Sequence, residues 1–208
     1  MKKLESSLTN MVLVLTGVAV IMGGILALVN HMTEGPINAQ KAKTLADGIK
    51  TVMCVNDITV SRTDTVKQND AKGKELTYII YQTQDAQGKD LGAAVESTTG
   101  GFGGDLKVLV GFDSEGNILG YTLLEHAETP GLGAKADKWF QKGEKGDIIG
   151  KNPKEPLTVS KDGGQVDAIT ASTITSRAFL LAVNNAYNAY MGSSVDARSG
   201  ASQQVKEN

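Results

Sequence analysis

The sequence LKVLVGF at residues 106–112 is followed, after the polar turn SEGN at residues 114–117, by ILGYTLL at residues 118–124. Two runs of β-branched, aromatic and aliphatic side chains on either side of a short glycine-containing turn predict an antiparallel β-hairpin. Upstream, residues 75–82 and 91–96 predict two more strands, joined by the turn DAQGKD. Because strands joined by short turns pair antiparallel, this part of the chain predicts an antiparallel sheet.

Three helices are expected around this sheet. Apolar side chains recur at every third or fourth position of residues 173–191, which predicts a helix with one apolar face. Weaker patterns predict an amphipathic helix at residues 37–53 and a short helix at residues 135–141. Residues 142–162 are polar, contain two prolines and are interpreted as a surface excursion. Antiparallel strands with flanking helices predict an α+β domain of roughly 150 residues.

A long apolar stretch precedes this domain. Residues 6–30 are 25 positions without a charge, and residues 11–29 are nearly all apolar or glycine. About 20 such residues cross the hydrocarbon core as a helix, whereas a cleaved signal peptide has a shorter apolar region and a small-residue cleavage site. We therefore expect an uncleaved single-pass anchor that ends at Gly35 and Pro36. The short basic N-terminus favours a cytoplasmic start and a domain on the outer side.

Composition excludes several classes of protein. The 21 Lys and Arg residues are outnumbered by 23 Asp and Glu residues, so the chain has no excess of positive charge and nucleic acid is not an expected partner. A single Cys excludes an intrachain disulfide framework and a cysteine-based metal site, and two separated His predict no metal cluster. Glycine is the exception to this ordinary composition, since 14 of the 24 glycines fall within residues 100–164.

Two of the glycine-rich segments are candidates for a ligand site. Residues 98–105 (TTGGFGGD) expose bare backbone that a ligand can approach closely, although an ordinary loop has the same composition. Residues 126–133 (HAETPGLG) contain a tight turn at Pro130 and Gly131 that presents backbone amides and the Thr129 hydroxyl. A plain strand-to-helix connection explains this second segment equally well.

The third candidate segment is DAITASTITSR at residues 167–177, at the start of the last predicted helix. It has five hydroxyl side chains within residues 170–176, more than one N-cap needs. A helix N-terminus carries unpaired amides and a partial positive charge that suit a phosphate, and Arg177 adds charge if it faces the same way. A purely structural capping cluster is the alternative.

In this order behind one N-terminal span, the three segments resemble the covalent-FMN subunits of two related bacterial respiratory complexes. These are the G subunit of the Rnf complex and the C subunit of the sodium-pumping NADH:quinone oxidoreductase. The most specific element is the flavinylation pattern: an Asp, two residues, Ser or Thr, two small residues and the acceptor Thr. Residues 167–173 (DAITAST) match it, and the compact length favours the Rnf family.

The resemblance implies that Thr173 carries FMN through a phosphodiester, attached by a flavin transferase that draws on FAD and releases AMP. The chain departs from the usual Gly-Ala pair at Ala171 and Ser172, so that a competing hydroxyl stands beside Thr173. No catalytic base and no metal ligand are assigned. The implied cofactor-binding residues come from all three segments: Asp167, Thr170, Ala171, Ser172, Thr173, Ile174, Thr175 and Ser176; Glu128, Thr129, Pro130, Gly131, Leu132 and Gly133; Gly101, Gly103 and Gly104.

The resemblance further implies an electron-carrier protein of an ion-translocating ferredoxin:NAD oxidoreductase in the bacterial inner membrane, without independent catalysis. Its partners would be the other membrane and peripheral Rnf subunits, membrane lipid and, during maturation, the flavin transferase. The expected organisation is an anchor at residues 1–34, a soluble FMN-binding α+β domain at 35–192 and a disordered tail at 193–208. The alternatives are the C subunit of the sodium pump and a flavin-free, membrane-tethered binding or assembly module.

Overall fold

The computed structural model of the chain describes residues 8–55, 57–69 and 75–192. The chain divides into two compact units, Met1–Thr44 and Leu45–Asn208. The tail expected to be disordered, residues 193–208, lies outside the described residues.

Helix α1 runs from Leu8 to Met53, 46 residues in all. Its most apolar 18 residues have a mean hydropathy of 2.7 and none of them is buried, so the helix is long and apolar enough to cross a membrane. The predicted break at Gly35 and Pro36 is wrong, because the helix continues through Pro36. Gly35 does not take the left-handed conformation of a helix cap. A proline by itself removes one backbone hydrogen bond and is tolerated in membrane helices.

The strands form one five-stranded antiparallel sheet in which each strand pairs with its neighbours in the chain. This sheet and its flanking helices confirm the α+β prediction, and the predicted hairpin is present, with Val110 opposite Tyr121. The bounds are β1 Ile58–Asn69, β2 Glu75–Asp85, β3 Asp90–Gly100, β4 Asp105–Phe112 and β5 Ile118–Glu125.

Strand β1 has no counterpart among the predicted strands. It pairs only with β2 in the sheet order, so it forms one edge, and most of its side chains are exposed. An edge strand that faces solvent needs no apolar face, and its sequence, ITVSRTDTVKQN, therefore has no alternation that predicts a strand. Strand β3 is also longer than predicted, because Thr98 and Gly100 pair with Lys107 and Asp105.

Both faces of the sheet are covered. Helix α3, Thr173–Met191, has the predicted bounds and buries Phe179 and Val183 against the face that carries Val95 and Val110. On the opposite face, Ala94 and Leu109 pack in one cluster with the C-terminal end of α1 (Ile49, Val52 and Met53). Strands buried on both faces have almost continuous apolar sequences, as residues 91–95 of β3 and 108–112 of β4 do.

Two glycines allow α1 to approach this sheet closely. Gly111 and Gly120 are directly opposite each other in β4 and β5. A Cβ on Gly120 would lie 2.8 Å from the Val52 carbonyl oxygen, and a Cβ on Gly111 would collide with the same atom. Gly111 and Gly120 therefore form a flat patch on the sheet, and the last turn of α1 packs against this patch.

The segment between β5 and α3 is better packed than predicted. Helix α2, Ala136–Trp139, follows a 3-10 turn and is shorter than expected, but Phe140 is fully buried. Residues 142–162, interpreted above as a surface excursion, place Ile148, Leu157 and Val159 in the core beside α3. Single apolar residues spaced irregularly among polar ones have no periodicity, which is why the sequence did not indicate their burial.

Candidate functional site

The three candidate segments converge on one cleft of about 350 Å³, which lies within the usual size range of ligand sites. The first segment contributes Phe102, whose side chain is 69% exposed. The turn of the second segment forms another part of the wall, and the start of α3 completes it. The lining residues are Phe102; Glu128, Thr129, Leu132 and Gly133; Ala171, Ser172, Thr173, Ile174 and Thr175.

Glu128 connects all three segments. Its Oε1 accepts hydrogen bonds from the backbone amides of Phe102 at 2.7 Å and Gly103 at 3.3 Å. Its Oε2 accepts a hydrogen bond of 2.7 Å from the Thr175 hydroxyl. The residue is only 6% exposed, and hydrogen bonds to a charged carboxylate are among the stronger ones. Glu128 thus fixes the first segment and the start of α3 relative to each other.

The glycines of the first two segments make room for this carboxylate. A Cβ on Gly101 would collide with Oε1 of Glu128, and a Cβ on Gly133 would collide with Oε2. A Cβ on Gly103 would likewise collide with the Ala127 carbonyl oxygen. The structure therefore gives these glycines a packing role, and a direct contact between their backbone and a ligand stays a prediction.

The turn of the second segment is as tight as predicted. The Thr129 carbonyl accepts hydrogen bonds from the amides of Leu132 at 3.1 Å and Ala134 at 3.2 Å. Gly131 has φ of +77°, a conformation that glycine adopts without strain. The turn leaves Thr129 exposed and Leu132 42% exposed at the rim of the cleft.

Helix α3 begins at Thr173 without a side-chain cap. Ser172 is the N-cap residue, yet its hydroxyl makes no capping hydrogen bond, and the residue is 9% exposed in the wall of the cleft. The Ser176 hydroxyl instead donates to the Ser172 carbonyl and accepts from the Ile169 amide, both at 2.9 Å. The hydroxyls of Thr175 and Ser176 thus bind groups of the protein, and a contact of either residue with a cofactor stays a prediction. Ser172 and Thr173 lie in the cleft wall at the helix N-terminus, where a ligand could reach them.

Ala171 stands in a strained conformation immediately before this helix. Its φ of +61° lies in the left-handed region, where an L-residue with a Cβ pays roughly 1–2 kcal/mol. This is the first position of the small pair at which the chain departs from the expected Gly-Ala. The strained residue lines the cleft, directly next to Ser172.

A lysine that was not among the candidate residues contacts the hydroxyl of Thr173. Lys161 Nζ lies 3.3 Å from Thr173 Oγ1. Lys161 belongs to a 3-10 turn, Ser160–Asp162, and both Asp162 oxygens accept hydrogen bonds from Arg177 of α3, at 2.6 and 2.7 Å. No local motif links positions 161 and 173, so the sequence has no signal for this contact.

The two hydrogen bonds between Arg177 and Asp162 show what the Arg177 side chain binds. Hydrogen bonding to the guanidinium lowers the pKa of Asp162, and the same contact raises the pKa of Arg177. The condition under which Arg177 would add charge for a phosphate is not met, because its guanidinium is bound to Asp162 and Arg177 is not among the lining residues of the cleft.

Other expected site residues lie outside the cleft lining. The Asp167 carboxylate accepts a hydrogen bond of 3.2 Å from the Ser160 hydroxyl, and its carbonyl accepts one of 2.8 Å from the Trp139 indole. Pro130 and Gly131 line a separate cleft of about 430 Å³ beside Trp139. The remaining expected residues outside the lining are Gly101, Gly103, Gly104, Thr170 and Ser176.

The cleft and its immediate surroundings suit an anion that bears an apolar group. The uncapped helix N-terminus favours a phosphate beside Thr173, and so does the ammonium of Lys161, which contacts the Thr173 hydroxyl although Lys161 is not itself a lining residue. Phe102 and Leu132 offer apolar surface at the rim. Within the described part of the chain, no cluster of His, Cys, Asp and Glu has the arrangement of a metal site.

Comparison with known proteins is consistent with this geometry. The FMN-binding domain family matches residues 101–188. The G subunit of the ion-translocating oxidoreductase complex of Vibrio cholerae serotype O1 is 33% identical over 180 residues, which cover 84% of this chain and 86% of that protein. The corresponding G subunit of Yersinia pestis is 36% identical over 171 residues, 78% of this chain and 80% of that protein.

Two solved structures also align with the chain. The crystal structure of Shewanella oneidensis NqrC aligns with a TM-score of 0.49 and 17% identity, covering 72% of this chain and 93% of that chain. The C subunit of the Na⁺-translocating NADH-quinone reductase from Parabacteroides distasonis aligns with a TM-score of 0.47 and 20% identity, covering 80% of this chain and 95% of that chain.

Proposed function

The chain belongs to the G-subunit family of ion-translocating oxidoreductase (Rnf) complexes, and from this membership we propose that it is a membrane-anchored electron carrier with FMN as its redox group. When bound, the flavin ring supplies the electron chemistry, and the protein supplies binding and orientation. One observation carries the proposal: the three candidate segments converge on a single cleft beside Thr173. All three lie at least partly within residues 101–188, which match the FMN-binding domain family.

The acceptor of the flavin in this proposal is Thr173. Its side chain is half-buried in the cleft wall, at the first position of α3, and its hydroxyl contacts the Lys161 ammonium. In the transferase reaction the Thr173 oxygen bonds to the phosphorus of the FMN half of FAD. The P–O bond to AMP breaks, AMP leaves with the bridging oxygen, and the hydroxyl proton is released. The phosphodiester then lies at the N-terminus of a 19-residue helix.

Ser172 is the competing hydroxyl, and its burial argues against it. Ser172 is only 9% exposed, whereas Thr173 is half-buried and therefore more accessible. The two residues also differ in backbone: Ser172 has φ of −138° and is not part of the helix, while Thr173 is its first residue. A transferase that must bring FAD to the hydroxyl reaches Thr173 more easily.

The remaining residues of the cleft orient the flavin. Phe102 and Leu132 are the exposed apolar side chains of the rim and suit contact with the isoalloxazine ring. Glu128 stabilises the loop that carries Phe102 through its amide hydrogen bond. A carrier that exchanges electrons with other cofactors needs an accessible ring edge and no acid–base pair, so we assign no catalytic residue and expect no independent catalysis.

The proposed setting is the bacterial inner membrane. The apolar part of α1 anchors the chain with the N-terminus in the cytoplasm, and the compact unit that begins at Leu45 forms the flavin domain on the outer side. The apolar part of α1, with a mean hydropathy of 2.7, supports the anchor. The partners are the other membrane and peripheral subunits of the Rnf complex, membrane lipid and a flavin transferase during maturation.

The test is covalent flavin on the full chain. We expect co-expression with a flavin transferase to give a fluorescent band on a denaturing gel and an intact mass raised by one flavin phosphate. Thr173→Ala loses both signals, and Ser172→Ala keeps them. A wild-type chain that stays colourless with an active transferase contradicts the proposal. Full labelling of Thr173→Ala together with loss in Ser172→Ala would move the acceptor to Ser172.

A further inference from the structure

We infer that Lys161 is a positioning residue that holds the phosphate of the flavin at Thr173; this inference rests on the proposed function. The Lys161 ammonium is 3.3 Å from Thr173 Oγ1 although the two residues are 12 positions apart. The hydroxyl oxygen is the atom that bonds to phosphorus in the proposed attachment. A cation at hydrogen-bond distance from that oxygen lies next to the phosphate oxygens of the product.

The position of Lys161 is fixed by the rest of its turn. Its neighbour Asp162 is bound by Arg177 of α3 through two hydrogen bonds of 2.6 and 2.7 Å. Ser160, on the other side, donates a hydrogen bond of 3.2 Å to the Asp167 carboxylate. A lysine on an otherwise free loop would lose much side-chain and backbone entropy on binding a phosphate. In this protein the backbone around Lys161 is already ordered in the folded chain, so phosphate binding does not incur the backbone part of this entropy loss.

Two carboxylates near Lys161 in the chain, Asp162 and Asp167, are both engaged elsewhere. Asp162 is paired with Arg177, and Asp167 accepts the Ser160 hydrogen bond. The ammonium of Lys161 is therefore directed to the Thr173 hydroxyl and not to a carboxylate of its own turn. A phosphodiester carries one negative charge, which one lysine offsets.

The helix N-terminus supplies an independent observation that points to an anion. Ser172 is nine-tenths buried in the cleft wall, and its hydroxyl leaves the first turn of α3 uncapped. An N-cap serine ordinarily accepts a hydrogen bond from an amide of the first helical turn. Because Ser172 accepts none, its hydroxyl and the amides of that turn can donate to another acceptor. Phosphate oxygens between Ser172 and Lys161 meet this need.

The experiment measures the rate at which detergent-solubilised full-length protein, purified without flavin, is labelled by a flavin transferase and FAD. Lys161→Gln leaves a polar side chain one atom shorter and removes its charge, and we expect labelling about tenfold slower, the effect of losing one charge-assisted hydrogen bond. Lys161→Arg keeps the charge and restores most of the rate. Lys154→Gln, an exposed lysine of the same segment, is the matched control and labels like the wild type.

The outcomes separate the two proposals. Labelling of Lys161→Gln at the wild-type rate, or an Arg variant as slow as the Gln variant, overturns the role of the Lys161 charge. Absence of covalent flavin from the wild type itself overturns the proposed function, and this result does not depend on position 161. Equal melting temperatures of the unlabelled wild-type and Lys161→Gln proteins exclude a folding defect as the cause of slow labelling.

Discussion

Glu128 Oε2 accepts a 2.7 Å hydrogen bond from the Thr175 hydroxyl across 47 positions of the chain. The other oxygen of the same carboxylate accepts from the Phe102 amide, so one buried side chain joins the loop after β3 to the first turn of α3. The flavin cleft proposed here exists because these two elements are held at a fixed separation.

The first prediction concerns this carboxylate. Glu128→Ala leaves two backbone amides and the Thr175 hydroxyl without their acceptor, and we expect the free energy of unfolding to fall by about 2–3 kcal/mol. Urea denaturation followed by circular dichroism measures it. Glu155→Ala, an exposed carboxylate, serves as the control and changes stability little. Equal stability losses in the two variants would contradict the connecting role of Glu128.

Ala171 gives a prediction of opposite sign. Because its φ is +61°, Ala171→Gly removes the strain of a left-handed residue, and we expect a gain of roughly 0.5–1 kcal/mol after the greater flexibility of unfolded glycine is subtracted. Thermal unfolding at one scan rate measures the gain. Ala168→Gly, at a partly buried position outside the left-handed region, is the matched control and destabilises. A lower melting temperature for Ala171→Gly would show that the strain is not stored at this residue.

The pair of Asp162 and Arg177 predicts a dependence of stability on pH. Pairing lowers the pKa of Asp162 in the folded chain, so its contribution is present above the unfolded pKa of about 3.9 and is lost as the pH falls through the folded value. We expect Asp162→Asn to lower the free energy of unfolding by about 1 kcal/mol at neutral pH. The difference from the wild type shrinks progressively as the pH falls below about 4, because the Asp162 carboxyl of the unfolded chain takes up its proton before that of the folded chain does.

Chemical denaturation of wild type and Asp162→Asn at neutral pH and at successive acidic values tests this. Asp137→Asn, an exposed carboxyl of α2, controls for the general effect of removing one negative charge. A difference that stays constant from neutral to strongly acidic pH would mean that Asp162 does not contribute through its charged pair with Arg177.

The sequence predicted most of what local patterns encode. The hairpin of β4 and β5, the bounds of α3 and the tight turn at Gly131 follow from side-chain periodicity and turn chemistry, which act over a few residues. Three segments far apart in the chain were grouped because they resemble one family, and the structure places residues of each of them in one cleft. Periodicity alone would not have grouped them.

The parts that escaped prediction depend on long-range contacts. Lys161 was one polar residue in a polar segment, and only the folded chain brings its ammonium to Thr173. Gly111 and Gly120 were assigned to a hairpin on sequence grounds alone. The structure explains why glycine stands at both positions: the Val52 carbonyl of a helix more than 50 residues upstream approaches too closely for a Cβ. Strand β1 gave no signal, because an exposed edge strand requires no apolar face.

The last prediction concerns the exposed aromatic ring at the cleft. Phe102 is 69% exposed and lines the cleft beside Thr173, and in the proposed carrier it shields one face of the flavin ring. We expect Phe102→Ala to accept covalent flavin at Thr173 to the same final extent, because the phosphate contacts are unchanged. Its bound flavin should be quenched more strongly by iodide than that of the wild type. Met191→Ala, an exposed apolar residue at the opposite end of α3, is the control and keeps wild-type quenching. Identical iodide quenching in Phe102→Ala and the wild type would place the ring elsewhere, while a loss of covalent flavin would assign Phe102 to the attachment reaction itself.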